Sequence, residues 1–264
     1  MELLAVLAMA FYLLAAFACV HNLLNPQNPG RRYGLLAALF ALALHSLWLF
    51  NTVVLVPDGQ NLSMLNVASI VSLIICLLMT MLVSRFNVWL LMPVVYGFAG
   101  LLLAADFLLP GYYTMHIETR PEILLHIGLG LLSYSLLNIA CLLAILLSFL
   151  DNRLKKHKLT NLPAMPPLMT IERNLFRLIF VGVLLLTLSI SSGLFFLQEM
   201  FSPGKAHKAV LSILAWCVYV GLLWGHHRLG WRGRKVIWTS VAGSVLLTIA
   251  YFGSRFVREV LLGS

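Results

Sequence analysis

Residues 205–255 read KAHKAVLSILAWCVYVGLLWGHHRLGWRGRKVIWTSVAGSVLLTIAYFGSR. Two unbroken apolar runs, drawn as 207–226 and 235–259, flank a short basic segment holding Arg228, Gly230, Arg232, Gly233 and Arg234. Each run is about 20 residues or more, the length a helix needs to cross a bilayer, and neither alternates as a barrel strand does. The pattern predicts one helix crossing the membrane, a tight basic turn, and a second helix returning. His207 opens the first helix, and Tyr251-Phe252-Gly253 leads to the closing Arg255.

The same pattern extends to the whole chain. Hydrophobic residues make up 61% and charged residues 10%, with a mean hydropathy of +0.95. A soluble domain carries about 25% charged residues, so the apolar excess here faces lipid. Eight spans follow, at about 3–23, 33–55, 62–84, 88–109, 122–150, 174–198, 207–226 and 235–259. The predicted fold is all-α, a polytopic bundle of eight transmembrane helices forming a single integral membrane domain over 1–264. The formal charge of +9 does not indicate nucleic acid, because the cations crowd into a few loops between apolar runs. Of the 18 Lys and Arg, 13 fall on one set of helix ends, including Arg31, Arg32, Arg153, Arg173, Arg177, Arg228 and Arg234. The positive-inside rule therefore places both termini on the outer side, the periplasm of a diderm bacterium, with the protein in its inner membrane. Ala16-Phe17-Ala18 resembles a signal cleavage site, yet no basic segment precedes the apolar run, so a retained first helix is expected.

Several residues invite a chemical role and have a plainer one. Cys19, Cys76, Cys141 and Cys217 lie in apolar runs without a CxxC or CxxCH spacing, and small core residues is the default reading. His45 is an ionisable group near mid-membrane; a hydrogen bond to a neighbouring helix accounts for it. His116 lies in the polar loop 110–121, whose Tyr112 and Tyr113 suit an interfacial belt. Pro93 is expected to kink the fourth span. Ser189, Ser191, Ser192 and Gly193 form a small polar patch suited to close helix packing. His21, His226 and His227 share the inner interface, where headgroup or turn-stabilising roles compete with ligation. Anionic headgroups explain the basic loop between spans five and six.

His126 and His207 stand apart. Spans five and seven run in the same direction, and both histidines lie near the outer ends. Two imidazoles on different helices at matched depth are what a bis-histidine haem requires, one nitrogen approaching the iron from each face. Arg120, Lys205, Lys208 and Arg255 lie at the same level and suit its propionates. Two of eight histidines also match in depth by chance, so topology leaves packing and pH-responsive roles open.

The segment His126-x6-Ser133-Tyr134 resembles the HxxxxxxSY element of the cytochrome c assembly family, the CcsA/CcmC-type haem-handling membrane proteins. The run Trp224 to Arg234 resembles the helix-turn-helix after that family's tryptophan-rich signature, and Tyr251-Phe252-Gly253 resembles its last helix. Size, span number and the AHK…GWRG…YFGSR pattern are most similar to the short YpjD-like branch. The likeness covers roughly 60–260. It implies a b-type haem, held or handed over near the outer face, with His126 matching the first ligand histidine and Tyr134 lying within the same element. It implies haem, lipid, and another membrane protein or a periplasmic haem acceptor as partners. The WGxxWxWD signature is absent, since 195–208 holds no tryptophan, and the second outer histidine after the last helix is missing. His207 takes its place by position rather than by motif.

No general acid–base pair, metal-hydrolase motif or phosphate loop is present in the sequence, so haem handling rather than catalysis is expected. The competing reading is a non-haem accessory or regulatory subunit of a transporter or ion exporter. A small-solute transporter is weaker, because no inverted repeat is recognisable.

Overall fold

The computed structural model describes residues 2–25, 31–57, 59–86, 88–116, 120–155, 167–196 and 206–256. Eight helices in it are long and apolar enough to cross a membrane. They are α1 (Glu2–Leu24), α2 (Arg31–Leu49), α3 (Met64–Phe86), α4 (Met92–Leu108), α5 (Pro121–Lys155), α6 (Leu168–Phe196), α7 (Ala206–Leu229) and α8 (Arg234–Thr248). Two are extended by π-helical turns, α2 by Phe50–Val54 and α8 by Ile249–Gly253. The protein is a polytopic helical membrane protein.

The chain separates into two compact units, one of Met1–Ile117 with Leu162–Met165, the other of Glu118–Asn161 with Pro166–Ser264. In the first, α1 and α3 each pack against both α2 and α4. The buried residues of α1 are Ala5, Ala8, Tyr12, Ala15 and Cys19, spaced alternately three and four apart. That stripe is narrow and mostly small, which lets the backbones of α1 and α2 approach closely. Its one large member, Tyr12, ends in a hydroxyl that reaches the Nδ1 of His45 on α2 at 3.0 Å. A two-residue antiparallel ladder covers one end of this unit, β1 (Gln60–Asn61) pairing with β2 (Thr114–Met115). The Asn61 side chain donates to the Gly111 carbonyl and accepts from the Tyr113 and Ser63 amides, fixing the loop that precedes β2.

The second unit repeats the cyclic arrangement, with α5 and α7 each packed on α6 and α8. Its most enclosed member is α5, in whose most apolar stretch 72% of residues are buried, against 28% for α7. Ser133 donates to the Gly182 carbonyl of α6 at 2.8 Å, and the Tyr134 hydroxyl pairs with Thr248 of α8 at 2.9 Å. One dipeptide thus joins α5 to both neighbours.

Several expectations are modified. Pro93 begins α4 rather than kinking it, since a 3-10 turn, Trp89–Leu91, precedes the α-helix. A proline in the first turn removes no hydrogen bond, because those amides lack intrahelical partners. α5 continues to Lys155, beyond the expected 150, because its last turn stays helical in polar surroundings and gains a Lys155–Asp151 pair at 2.6 Å. α6 starts at Leu168, earlier than 174, with the Pro167 carbonyl accepting from Thr170 and Ile171. Cys217 is exposed on α7 rather than buried in the core; a thiol on a lipid-facing surface behaves as a small apolar group.

Candidate functional site

His126 lies one turn and a half into α5, half-buried, facing α6. Its Nδ1 is 2.9 Å from the Ser189 carbonyl oxygen and 3.1 Å from Ser192 Oγ. A carbonyl only accepts, and the Ser192 hydroxyl donates its own hydrogen to that same carbonyl at 2.8 Å. Nδ1 therefore carries the proton and donates to both oxygens. The remaining nitrogen, Nε2, is left with its lone pair and makes no hydrogen bond to any described residue. Ser189 Oγ completes the clamp by donating to the His126 carbonyl at 3.3 Å. An imidazole whose N–H is tied to a backbone carbonyl is the usual form of a metal-ligating histidine.

The inward neighbour of this clamp is Gly130, one turn on along α5. A Cβ there would collide with the Tyr251 hydroxyl and lie 3.2 Å from Ser189 Oγ. The missing side chain is what admits Tyr251 between α5 and α6. Tyr251 belongs to the π-helical turn after α8, and its ring packs on Tyr134 at a centroid distance of 5.1 Å; Phe252 packs on the same ring at 5.9 Å. π-turns recur at functional positions, where they re-aim side chains that a regular helix would direct elsewhere. From Tyr134 the polar line continues through Thr248 to Ser244, which donates to Asn138 at 2.9 Å. A hydroxyl- and aromatic-lined seam thus runs inward along α5 from His126.

The other residues read from the sequence are distributed as follows. His207 is exposed in the first turn of α7, which occupies the corner of the second unit opposite α5. Arg120 is exposed just before α5, its carbonyl accepting from Ile123 and Leu124. Lys208 and Arg255 are half-buried and engage neighbouring groups. Lys205 lies outside the described residues. Tyr134 is buried, with its hydroxyl on Thr248. The structure brings His126, Tyr134 and the Tyr251 turn into one seam. The serine pair that orients His126 was visible in the sequence only as a packing patch; the three-residue spacing of Ser189 and Ser192, which places them on one helix face, was the available signal.

The remaining histidines differ in a way that bears on ligation. His45 is fully buried and has both nitrogens occupied, Nδ1 by Tyr12 and Nε2 by Ser69 Oγ at 2.9 Å. It is a satisfied interhelical bridge, as its plainer reading held. His226 donates from Nδ1 to the Trp231 carbonyl at 3.0 Å and stacks on Phe176 at 3.4 Å between centroids. Trp231 folds back onto Gly225, where a Cβ would lie 2.5 Å from its ring carbons, and its amide donates to the Gly225 carbonyl.

Comparison with known proteins gives this seam a context. The family model described as Cytochrome C assembly protein matches residues 33–262. The chain belongs to the cytochrome c assembly family. Among its relatives in that family is the inner membrane protein YpjD of Escherichia coli strain K12, 47% identical over 264 residues, covering 99% of this chain and 100% of the relative. More distant is the cytochrome c biogenesis protein CcsA of Synechococcus sp. RCC307, 35% identical over 82 residues, which cover 30% of this chain and 26% of the relative. CcsA of Guillardia theta is 28% identical over 157 residues, 53% of this chain and 52% of the relative. No solved structure matches. Membership of the cytochrome c assembly family points to a haem-related function.

Proposed function

We propose that this protein is an inner-membrane haem-binding protein that holds or hands over a b-type haem near the outer membrane face, with His126 and His207 as the two histidines that would hold it. The observation that carries the proposal is the clamp on His126. Nδ1 is committed as a donor to Ser189 and Ser192, so Nε2 is already in the form that binds iron. Proton loss and ring rotation need not accompany ligation. His207, exposed at the start of α7, supplies the second imidazole. Arg120, Lys208 and Arg255 lie at corresponding ends of α5, α7 and α8 and suit the propionates, Lys205 joins them by its place in the sequence, and Tyr134 holds the seam beneath the first ligand.

When bound, haem supplies an iron centre able to change oxidation state or to be passed on as cargo. The chain supplies orientation and enclosure. Ser189 and Ser192 fix the imidazole, and Tyr251, Tyr134 and Phe252 fill the helix interface so that water does not follow the ring inward. The uneven distribution of Lys and Arg supports placing both termini and these histidines on the periplasmic side.

The test is spectroscopic. Protein produced with ample haem and purified in detergent is expected to show a Soret band that moves on reduction with dithionite. His126→Ala and His207→Ala each remove or shift that band while the protein still inserts. A colourless wild-type preparation under those conditions refutes haem binding and favours a non-haem accessory subunit. A band unchanged by His207→Ala refutes the bis-histidine site.

A further inference from the structure

A second built feature lies at the opposite ends of these helices and is independent of the haem proposal. The first turns of α6, the last turn of α7 and the turn into α8 enclose a cleft of about 860 Å³. Its cations are Arg173, Arg177 and Arg232, and its apolar wall includes Phe176, Phe180 and Val181. Among the described residues its single carboxylate is Glu172. One of its oxygens is buried with no hydrogen-bond partner and lies 3.7 Å from Arg232 Nε, too far for a hydrogen bond. Arg173 and Arg177 are exposed and make no hydrogen bond or ion pair with the described residues. The cleft therefore presents two guanidinium groups unmatched among the described residues, a third that is only partly offset, and His226, whose Nε2 is an acceptor because Nδ1 donates to Trp231.

The order of residues along α6 specifies what such a cleft would take. Arg173 and Arg177 are one turn apart on an exposed face, and the same face continues through Phe180, Val181, Leu184 and Leu188, all exposed. At about 1.5 Å of rise per residue the apolar stripe runs roughly 16 Å beyond Arg177. Cations followed by an apolar track in a helix that crosses the bilayer match a molecule with an anionic head and a hydrocarbon tail. A soluble phosphate ester would leave the track unused. Arginine forks suit phosphate oxygens, and a head-group hydroxyl would satisfy the His226 acceptor.

We infer that this cleft is a binding site for an anionic glycerophospholipid of the phosphatidylglycerol class, its phosphate on Arg173 and Arg177 and an acyl chain along α6. The experiment uses the full-length protein in a non-ionic detergent and follows thermal unfolding by tryptophan fluorescence. Phosphatidylglycerol in mixed micelles should raise the midpoint by several degrees over phosphatidylcholine. The gain should shrink as salt is raised. Arg173→Gln with Arg177→Gln should lose more than half of it, and Arg234→Gln, outside the cleft, should keep it. Equal shifts with the two lipids, or a gain that survives the double substitution, overturns the site. A comparable gain with glycerol 3-phosphate alone overturns the lipid assignment in favour of a soluble phosphate ester. If the double variant does not fold, Arg232→Gln and the lipid and salt comparison on the wild type carry the same decision.

Discussion

Replacing Gly130 by alanine tests the contact on which the seam beneath His126 depends. The added methyl would collide with the Tyr251 hydroxyl, sit 3.4 Å from Tyr251 Cζ and press on Ser189 Oγ at 3.2 Å. Tyr251 cannot swing aside freely, because its ring is held against Tyr134. Overpacking of this kind costs about 1–3 kcal/mol. The change from glycine to alanine inside a helix returns about 1 kcal/mol, leaving a net loss of up to about 2 kcal/mol. For a chain of this size that corresponds to a fall in the unfolding midpoint of several degrees, at about 2–4 °C per kcal/mol. Tyr251→Phe removes the colliding oxygen, and because that hydroxyl bonds to no described residue the single substitution costs under about 1 kcal/mol. The double variant should therefore be more stable than Gly130→Ala alone, with a coupling of about 1–2 kcal/mol in the double-mutant cycle. Thermal unfolding in detergent, followed by fluorescence for all four proteins, reads this directly. Strictly additive effects would show that Tyr251 does not occupy the space Gly130 leaves.

Other substitutions separate structural from ligand-directed histidines. His45→Phe keeps the ring but strands the Tyr12 and Ser69 hydroxyls in the interior, and should cost about 2–4 kcal/mol in thermal unfolding without changing haem content. A loss of haem in that variant would contradict the division of roles. Ser192→Ala removes one of the two acceptors on His126 Nδ1 and leaves the Ser189 carbonyl, so haem affinity should weaken by about tenfold in a titration. An unchanged affinity would reduce Ser192 to packing. Gly225→Ala drives a methyl into the Trp231 ring and should open the turn between α7 and α8 at about 1–3 kcal/mol, seen as a shift in Trp emission and faster proteolysis there.

The eight crossings were legible because hydropathy over twenty residues is a long-range average, insensitive to any one side chain. Helix ends were not, since Lys155 and Leu168 lie where the chain leaves lipid and local capping, rather than hydropathy, decides. His126 stands out in the sequence through its motif, whereas its orientation depends on Ser189 and Ser192, 63 and 66 residues away. No periodicity in α5 announces a partner on α6. The role of Ser133 and Tyr134 was hidden for the same reason: a dipeptide in an apolar run says nothing about which carbonyl or hydroxyl receives each side chain. The π-turns at 50–54 and 249–253 were invisible, because apolar runs look alike whether each amide bonds back four residues or five. The strand pair 60–61 and 114–115 escaped notice because two residues are too few to alternate.

The closure of α1 onto α4 has a consequence for biogenesis. Tyr12 and Ser69, the partners of His45, and Trp48, which donates to Asp106, all precede residue 107. While the ribosome is still adding later segments, each of these costly polar groups already has its counterpart in the emerged chain. The translocon can release the first four crossings without exposing a lone imidazole or carboxyl group to acyl chains. Synthesis of the remaining four then begins with these polar groups already paired instead of awaiting rescue.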